Sequence, residues 1–465
     1  MKKQTFLKFY LIAQITCICI CSKSQAPPAA IANAIQDIMN NALPTQLSNS
    51  GMVLSLHVPG QWTWQGASGF SISGMTTGQP AANAIPNSKF RVGSITKTMV
   101  ATCILKLEEN GVLNTEDPIN NYLRSTLVND TIAPSSTLKI RHLLNHTSGI
   151  SNSADNPTCQ ADVLNNPLGS HTLEEAIYCG ASQGEIFPPE FAWGYSNTNY
   201  SILAMIIEEV TGLSYKDYLT QNIITPLNLT ETEIPSSPQI SGSHMGCYWN
   251  IGSWIDLTII HPSTYTGWAD VVSTANDLNL FFSNLLDGNI LTQNSLTKMK
   301  SIHPASFDYG YGLDFFLIDG YDYYGHSGEV ANTSSMFFAD VSNSIAPNGY
   351  YLTYNFNMQG AEMANAVDIP VYDLLNNNLS EAIENTISKN EIIIYPNPVN
   401  KNSLLTIKST AIGEFTISDL SGKIIKQTTI SNGINTISTN KLESGVYLMK
   451  WNANGRVKTK KLIVK

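Results

Sequence analysis

The sequence predicts an α/β (α+β) protein in which an antiparallel sheet is built from both ends of a first domain, a helical subdomain is inserted between them, and a small all-β sandwich follows. Three observations predict it. Apolar residues alternate between Met52 and Gly69, take helical spacing from Ser94 to about residue 300, and alternate again from Gly312 to Phe356. Beyond Pro396, six short alternating segments are separated by Gly, Asn and Ser turns. With 465 residues, 43% apolar and 13% charged, the chain has room for two or three folded units and ample core.

Each element follows from local pattern. Lys2, Lys3 and Lys8 precede a mostly apolar run from Phe9 to Cys21 and a small-residue stretch at Ser22 to Ala26, so residues 1–24 read as a signal peptide. The run falls short of the ~20 residues a membrane span needs. A lipid anchor on Cys17, Cys19 or Cys21 is the alternative, but Thr16, Ile18 and Ile20 stand where a small residue is expected. Alternation around Pro59-Gly60 predicts a hairpin. The helical spacing of Met99, Ile104 and Leu107 predicts a helix beginning at or beside Ser94 and stopping at Asn110-Gly111. Further helices are expected at Ser201 to Val210, Ala275 to Leu286 and Ala361 to Leu375. Strands are expected at Gly312 to Ile318, Tyr321 to His326, Ser335 to Asp340 and Tyr350 to Phe356. The domain boundaries that result are 25–375, a polar linker at 376–391, and 392–465.

Charge and cysteine content narrow the function. The net charge of −10 is unevenly spread: residues 391–465 carry +7, the first 24 carry +4, and 25–390 carry −21. Such an acidic body repels phosphate and gains nothing from counterion release, so a nucleic-acid partner is not expected. Export permits disulfides. Cys159 and Cys179 flank one irregular stretch and can pair, whereas Cys103 sits in an apolar helical pattern as a buried thiol. Their spacing, with Cys247, fits neither a zinc cluster nor a redox CxxC.

Ser94-Ile95-Thr96-Lys97 is an S-x-x-K motif, one of four in the chain, set apart by the preceding Gly93 and the apolar helix that follows. Residues three apart share a helix face, so Lys97 can bring its amine to the Ser94 hydroxyl near a helix N-terminus. To act as base, Lys97 needs its pKa lowered from about 10.4 by roughly 3 units, which burial or a nearby cation supplies. Tyr195-Ser196-Asn197 and Tyr248-Trp249-Asn250 each offer a phenol and an amide, and His326-Ser327-Gly328 closes a predicted strand where a glycine lets a substrate carbonyl approach the backbone. His142 and His146 are four apart, as zinc ligands on a helix can be, but Leu143 stands where H-E-x-x-H has glutamate, so Asn145 to Gly149 reads as a helix end and turn. Trp62, Trp64, Trp193 and Trp268 are candidates for a cleft lining or for core.

The ordered set Phe90 to Lys97, Ile140 to Gly149, Tyr195-Ser196-Asn197 and Gly325-His326-Ser327-Gly328 resembles the serine β-lactamase and DD-peptidase superfamily, particularly its class C-like and esterase branch, over about residues 30–375. The flanks Tyr200 to Leu203 and Pro226 to Leu229 select Tyr195 over Tyr248. The resemblance implies that Ser94 is acylated, that Lys97 is its base, and that Tyr195 passes a proton to the leaving atom and later activates water. It implies that Asn197 binds substrate or Lys97, that His326 and Gly328 line the opposite wall, and that the backbone N–H groups of Ser94 and Glu329 form an oxyanion hole. No metal or other cofactor is implied. His326 and Glu329 depart from the family's usual lysine and small residue, which weakens the case for a substrate with a free carboxylate. The expected function is hydrolysis of a peptide, amide or ester: D-Ala-D-Ala carboxypeptidase on a peptidoglycan-like peptide, D-aminopeptidase or esterase, with β-lactamase as a further form. A non-catalytic binding module on the same fold, or a metallohydrolase, are the alternatives.

The last segment is similar to C-terminal sorting domains of type IX secretion, through Ile394 to Val399, Ile417 to Lys423, Leu442 to Tyr447 and Lys460 to Lys465. It implies a transport address read by the type IX machinery of a Gram-negative bacterium, and a protein carried through the periplasm and outer membrane to the cell surface or medium. An ordinary sandwich that binds carbohydrate is the alternative.

Overall fold

The computed structural model describes residues 25–376 and 392–464, apart from 75–79, 124–131, 133–136, 307, 319–320, 361, 396, 398, 410–411, 420–421, 432 and 454–455. The expected signal peptide, with its three cysteines, and nearly all of the expected linker lie outside the described residues.

Both ends of the first domain do supply the sheet. Strands β1 (Gly51–Val58) and β2 (Trp62–Ile72) form the hairpin, with Gly60 in its turn at φ +73°. A short β3 (Ala82–Asn83) follows, and β4 (Asp314–Ile318), β5 (Tyr321–Glu329), β6 (Thr333–Asp340) and β7 (Tyr350–Phe356) come from the far end. The order is β3-β2-β1-β7-β6-β5-β4, and each neighbouring pair runs antiparallel. Chain ends meet where β1 pairs β7, from Met52 opposite Phe356 to His57 opposite Tyr351. Almost every residue of these two central strands is buried, as near-continuous apolar runs require.

Between the halves lie α2 (Thr96–Glu109), α3 (Ile140–Leu144), α4 (Pro157–Asn165), α5 (Leu173–Ala181), α6 (Asn197–Thr211), α7 (Tyr215–Leu219), α8 (Ala275–Leu286) and α9 (Gln293–Met299); α1 (Ala29–Ala42) precedes the sheet. Helix α2 is buried all round from Thr96 to Leu105, so its sequence shows little amphipathic contrast. It begins after a single 3₁₀ turn at Gly93–Ile95 and ends at Gly111, φ +70°. Helix α6 starts four residues before the predicted Ser201 and ends on Gly212 in the left-handed region, a common helix stop. Cys159 and Cys179 form a disulfide between α4 and α5, and Cys103 and Cys247 are buried free thiols.

Strand β5 corrects one expectation. The sequence places His326-Ser327-Gly328 at a strand end, but β5 continues through Glu329, with Gly328 opposite Ser334 and Glu329 opposite Thr333. The partner strand extends equally far, and its hydrogen bonds hold a glycine-containing segment that propensity alone would end.

The chain divides into two compact units, one through Asn365 and one from Ala366, with the division inside α10 (Glu362–Asn376). In the second, β8 (Ile392–Tyr395), β9 (Leu404–Ser409) and β12 (Gly433–Ser438) make one antiparallel sheet in the order β8-β9-β12. Strands β10 (Gly413–Ser418), β11 (Ile424–Ile430), β13 (Gly445–Ala453) and β14 (Arg456–Val464) make the other, in the order β11-β10-β13-β14. Leu405 and Ile407 from the first join Phe415, Ile417, Trp451 and Leu462 from the second in one core, which is a sandwich. No helix among the described residues is long and apolar enough to cross a membrane.

Candidate active site

The site starts from two glycines. Gly93 has φ +60°, and a Cβ on it would lie 2.5 Å from the backbone N of Glu329; a Cβ on Gly328 would lie 2.0 Å from Val92 O and 3.0 Å from Ser94 N. The turn before α2 and strand β5 therefore touch backbone to backbone, with the N–H groups of Ser94 and Glu329 at the contact. Nearby polar groups fix this approach. The Ser334 hydroxyl lies 2.9 Å from Val92 O and 3.0 Å from Gly328 O, while Asn332 Nδ2 donates to Arg91 O at 2.8 Å. The Glu329 carboxylate is exposed and accepts from Gln359 Nε2 at 2.9 Å, so its charge is engaged at the surface.

Ser94 is partly exposed, whereas Lys97, one helical turn on, is 0% exposed. Their side chains meet, with Nζ 2.9 Å from Oγ, and Nζ also donates to Trp268 O at 3.2 Å. Three rings surround the amine, at 4.9 Å for Tyr195, 5.3 Å for Trp268 and 5.6 Å for Tyr200. Burial drives the Lys97 pKa well down, against opposing pulls from Asp314 and Asp270. A neutral amine in contact with the hydroxyl is a base. Once it takes a proton, ring faces, the Trp268 carbonyl and the two carboxylates are arranged to stabilise the ammonium.

Tyr195 stands just before α6, whose burial anchors the segment. Desolvation pushes its phenol up, with the adjacent Ser94 hydroxyl pulling the other way, so the phenol is a proton carrier and not a standing anion. His326 is buried on β5. Its Nδ1 lies 2.6 Å from Ser327 O, which can only accept, so Nδ1 carries the proton, and Nε2 at 2.9 Å receives the Tyr309 hydroxyl. Burial lowers the His326 pKa against the attraction of Asp314, whose Oδ2 is 3.8 Å from Nδ1. The histidine is thus a neutral wall, unlike a lysine at that place.

Of the residues expected from sequence, Ser94, Lys97, Tyr195, His326, Gly328 and the Glu329 backbone come together. Asn197 is on the first turn of α6, with its N–H donating to Asn152 Oδ1 at 3.0 Å. Its own Oδ1 is buried without a partner among the described residues, and the two hydrogen bonds found at Lys97 Nζ go to Ser94 and Trp268. Tyr248 is engaged elsewhere, its hydroxyl accepting from Ser73 N at 3.0 Å in a two-stranded ribbon.

Four contributors had little or no signal in sequence. Tyr309 and Trp268 lie in irregular segments, and Asp314 opens a strand. His146, which the sequence reads as part of a helix end and turn, parts company with His142. His142 caps α3 by accepting the Lys139 N–H on Nδ1 at 3.1 Å, whereas the His146 ring packs on Tyr195 at 4.3 Å between centroids. Among the described residues no cluster of His, Cys, Asp and Glu is disposed to hold a metal.

The Beta-lactamase family model matches residues 31–376, and the Secretion system C-terminal sorting domain matches 393–465. The chain is 30% identical over 293 residues to a putative penicillin-binding protein, PbpX, of Bacillus subtilis, covering 63% of this chain and 68% of that one. It is 27% identical to penicillin-binding protein 4* of the same species, covering 52% and 55%. Among solved structures it is similar to a D-stereospecific amidohydrolase from Streptomyces, with TM-score 0.62 and 25% identity over 75% of this chain and 99% of that one. It is similar also to the D-amino acid amidase from Ochrobactrum anthropi complexed with L-phenylalanine amide, with TM-score 0.61 and 25% identity over 77% and 99%.

Proposed function

Because this chain belongs to the beta-lactamase family and is a serine hydrolase, we propose that it cleaves an amide or peptide, of the D-amino acid amide type, through an ester on Ser94. The observation that carries this reading is the 2.9 Å contact between the Ser94 hydroxyl and a fully buried Lys97 amine, whose pKa burial drives well down. Lys97 takes the proton as Oγ attacks the carbonyl. The carbonyl oxygen becomes an anion between the N–H groups of Ser94 and Glu329, each donor worth about 3–4 kcal/mol in such a role. Tyr195 hands a proton to the leaving nitrogen, and in the second half reaction it activates the water that releases the acid. Asn197 offers its unpaired Oδ1 to a substrate N–H. Esters fit the same chemistry.

Charge supports the amide reading over a β-lactam. With His326 neutral and Asp314 beside it, the wall lacks the fixed cation that the free carboxylate of a β-lactam, or equally of a D-Ala-D-Ala terminus, requires. The neighbours named for D-amino acid amides favour the same class. For organisation we propose a signal peptide at 1–24, the hydrolase at 25–375, a linker at 376–391 and a type IX address at 392–465, taking the protein through the periplasm to the cell surface or beyond.

The test is intact-mass analysis after a fluorophosphonate, followed by turnover of D-phenylalanine amide, a D-Ala-D-Ala peptide, a cephalosporin and p-nitrophenyl acetate. One adduct on the wild type, none on Ser94→Ala, and faster cleavage of D-phenylalanine amide than of the D-Ala-D-Ala peptide or the cephalosporin are expected. An unlabelled wild type would leave only a binding module; turnover surviving Ser94→Ala but lost in chelator would indicate a metallohydrolase.

A further inference from the structure

We propose that His146 is the positioning residue of Tyr195, holding the chain on both sides of the phenol through two hydrogen bonds. The inference rests on the role given to Tyr195 above. The His146 carbonyl accepts the N–H of Gly194 at 2.9 Å, and its ring Nδ1 accepts the N–H of Ser196 at 3.2 Å. One residue thereby grips the N–H groups of both residues that flank Tyr195. Its ring also lies on the Tyr195 ring, 4.3 Å between centroids and inclined by 40°.

The ring's protonation is fixed by its partners. A backbone N–H can only donate, so Nδ1 must be the acceptor. Asn199 agrees: its Oδ1 takes the Ser148 hydroxyl at 2.7 Å, which leaves its Nδ2 to face His146 Nδ1 at 3.2 Å. The imidazole proton therefore sits on Nε2, which is buried and finds no hydrogen-bond partner among the described residues. His146 is 0% exposed, and burial drives its pKa well down, as a ring that must accept on Nδ1 requires. Two further signs mark a residue held against its own preference. Its φ is +62°, and the buried Nε2–H is unpaired, features that persist where the surroundings over-determine a conformation and that concentrate at functional sites.

Three variants of the full chain separate the contributions. His146→Asn keeps an acceptor at the Nδ1 place and tolerates a positive φ; His146→Phe keeps a ring without the acceptor; His146→Ala keeps neither. With p-nitrophenyl acetate the leaving group departs without an acid, so acylation reports Ser94 and Lys97 while deacylation reports Tyr195. Rapid-quench intact mass should show acylation within threefold of wild type for all three. Deacylation should slow about 10–100-fold in the Ala and Phe variants, as small misplacement of a catalytic group does, and recover to within threefold in the Asn variant. Deacylation within threefold of wild type in the Ala or Phe variant would overturn the proposal. So would an Asn variant as slow as Ala, or acylation falling in parallel. Tyr195→Phe is the control: if it deacylates normally, the role of Tyr195 fails; if it stalls while His146→Ala does not, only this inference fails.

Discussion

At the residue scale, the site depends on holding an amine neutral. Asp314 and Asp270 both pull the Lys97 pKa upward against the larger effect of burial, and removing one of those charges lets it fall further. The acid limb of kcat/KM, set by protonation of Lys97, should therefore lie well below pH 10.5 and move to lower pH in Asp314→Asn, read from a pH–rate profile. Lys97→Ala should lower kcat by about 10²–10⁴-fold, the usual worth of a general base, while the chain still binds substrate. Asp270 adds a stability prediction. Burial pushes its carboxyl from 3.8 to about 7, so between those values the folded chain keeps a proton that the unfolded chain releases, and its contribution falls as pH rises. His142, pushed from 6.5 down to about 4, acts in the opposite direction. Asp270→Asn should accordingly make stability rise more steeply from pH 4 to 7, measured by urea unfolding at several pH values.

At the element scale, the contact between the turn before α2 and strand β5 makes the oxyanion site. A Cβ at position 328 would meet Val92 O at 2.0 Å, so Gly328→Ala must part the two elements. It should lower kcat by about 10²-fold or more, as loss of one oxyanion donor does, with the fluorophosphonate adduct forming correspondingly slowly. The disulfide ties α4, which buries no side chain of its own, to α5, across a sequence separation of 20 residues. Cys159→Ser with Cys179→Ser should lower stability by about 3 kcal/mol on loop-closure grounds, detectable as a shift in the urea midpoint. These elements differ in legibility. Helix α8 matches the predicted span from Ala275 to Leu286 because its cap and apolar period are both local. Strand β5 outruns its prediction because Thr333 and Ser334 on a partner strand extend it.

At the scale of the whole molecule, the second unit has its own core of Leu405, Ile407, Phe415, Trp451 and Leu462. The proposed division of labour expects a chain ending at residue 376 to retain hydrolysis while failing to reach the cell surface, measured by activity in fractionated cells. The +7 charge of residues 391–465 against −21 for 25–390 fits two parts with separate tasks.

The sequence by itself left the cysteine pairing open and determined the alternation of strand and helix and the serine, lysine and tyrosine motifs. These are properties of local period and short-range geometry, which one stretch of chain carries alone. Tertiary structure decided what no single stretch could: that Lys97 is sealed from water, that Tyr309 and a carbonyl of Trp268 complete the site, that Cys159 pairs with Cys179, and that the His146 ring lies on Tyr195. All but the disulfide depend on segments far apart in the chain meeting across the core, where burial and a neighbour's hydrogen bond, and not residue type, set protonation and aim.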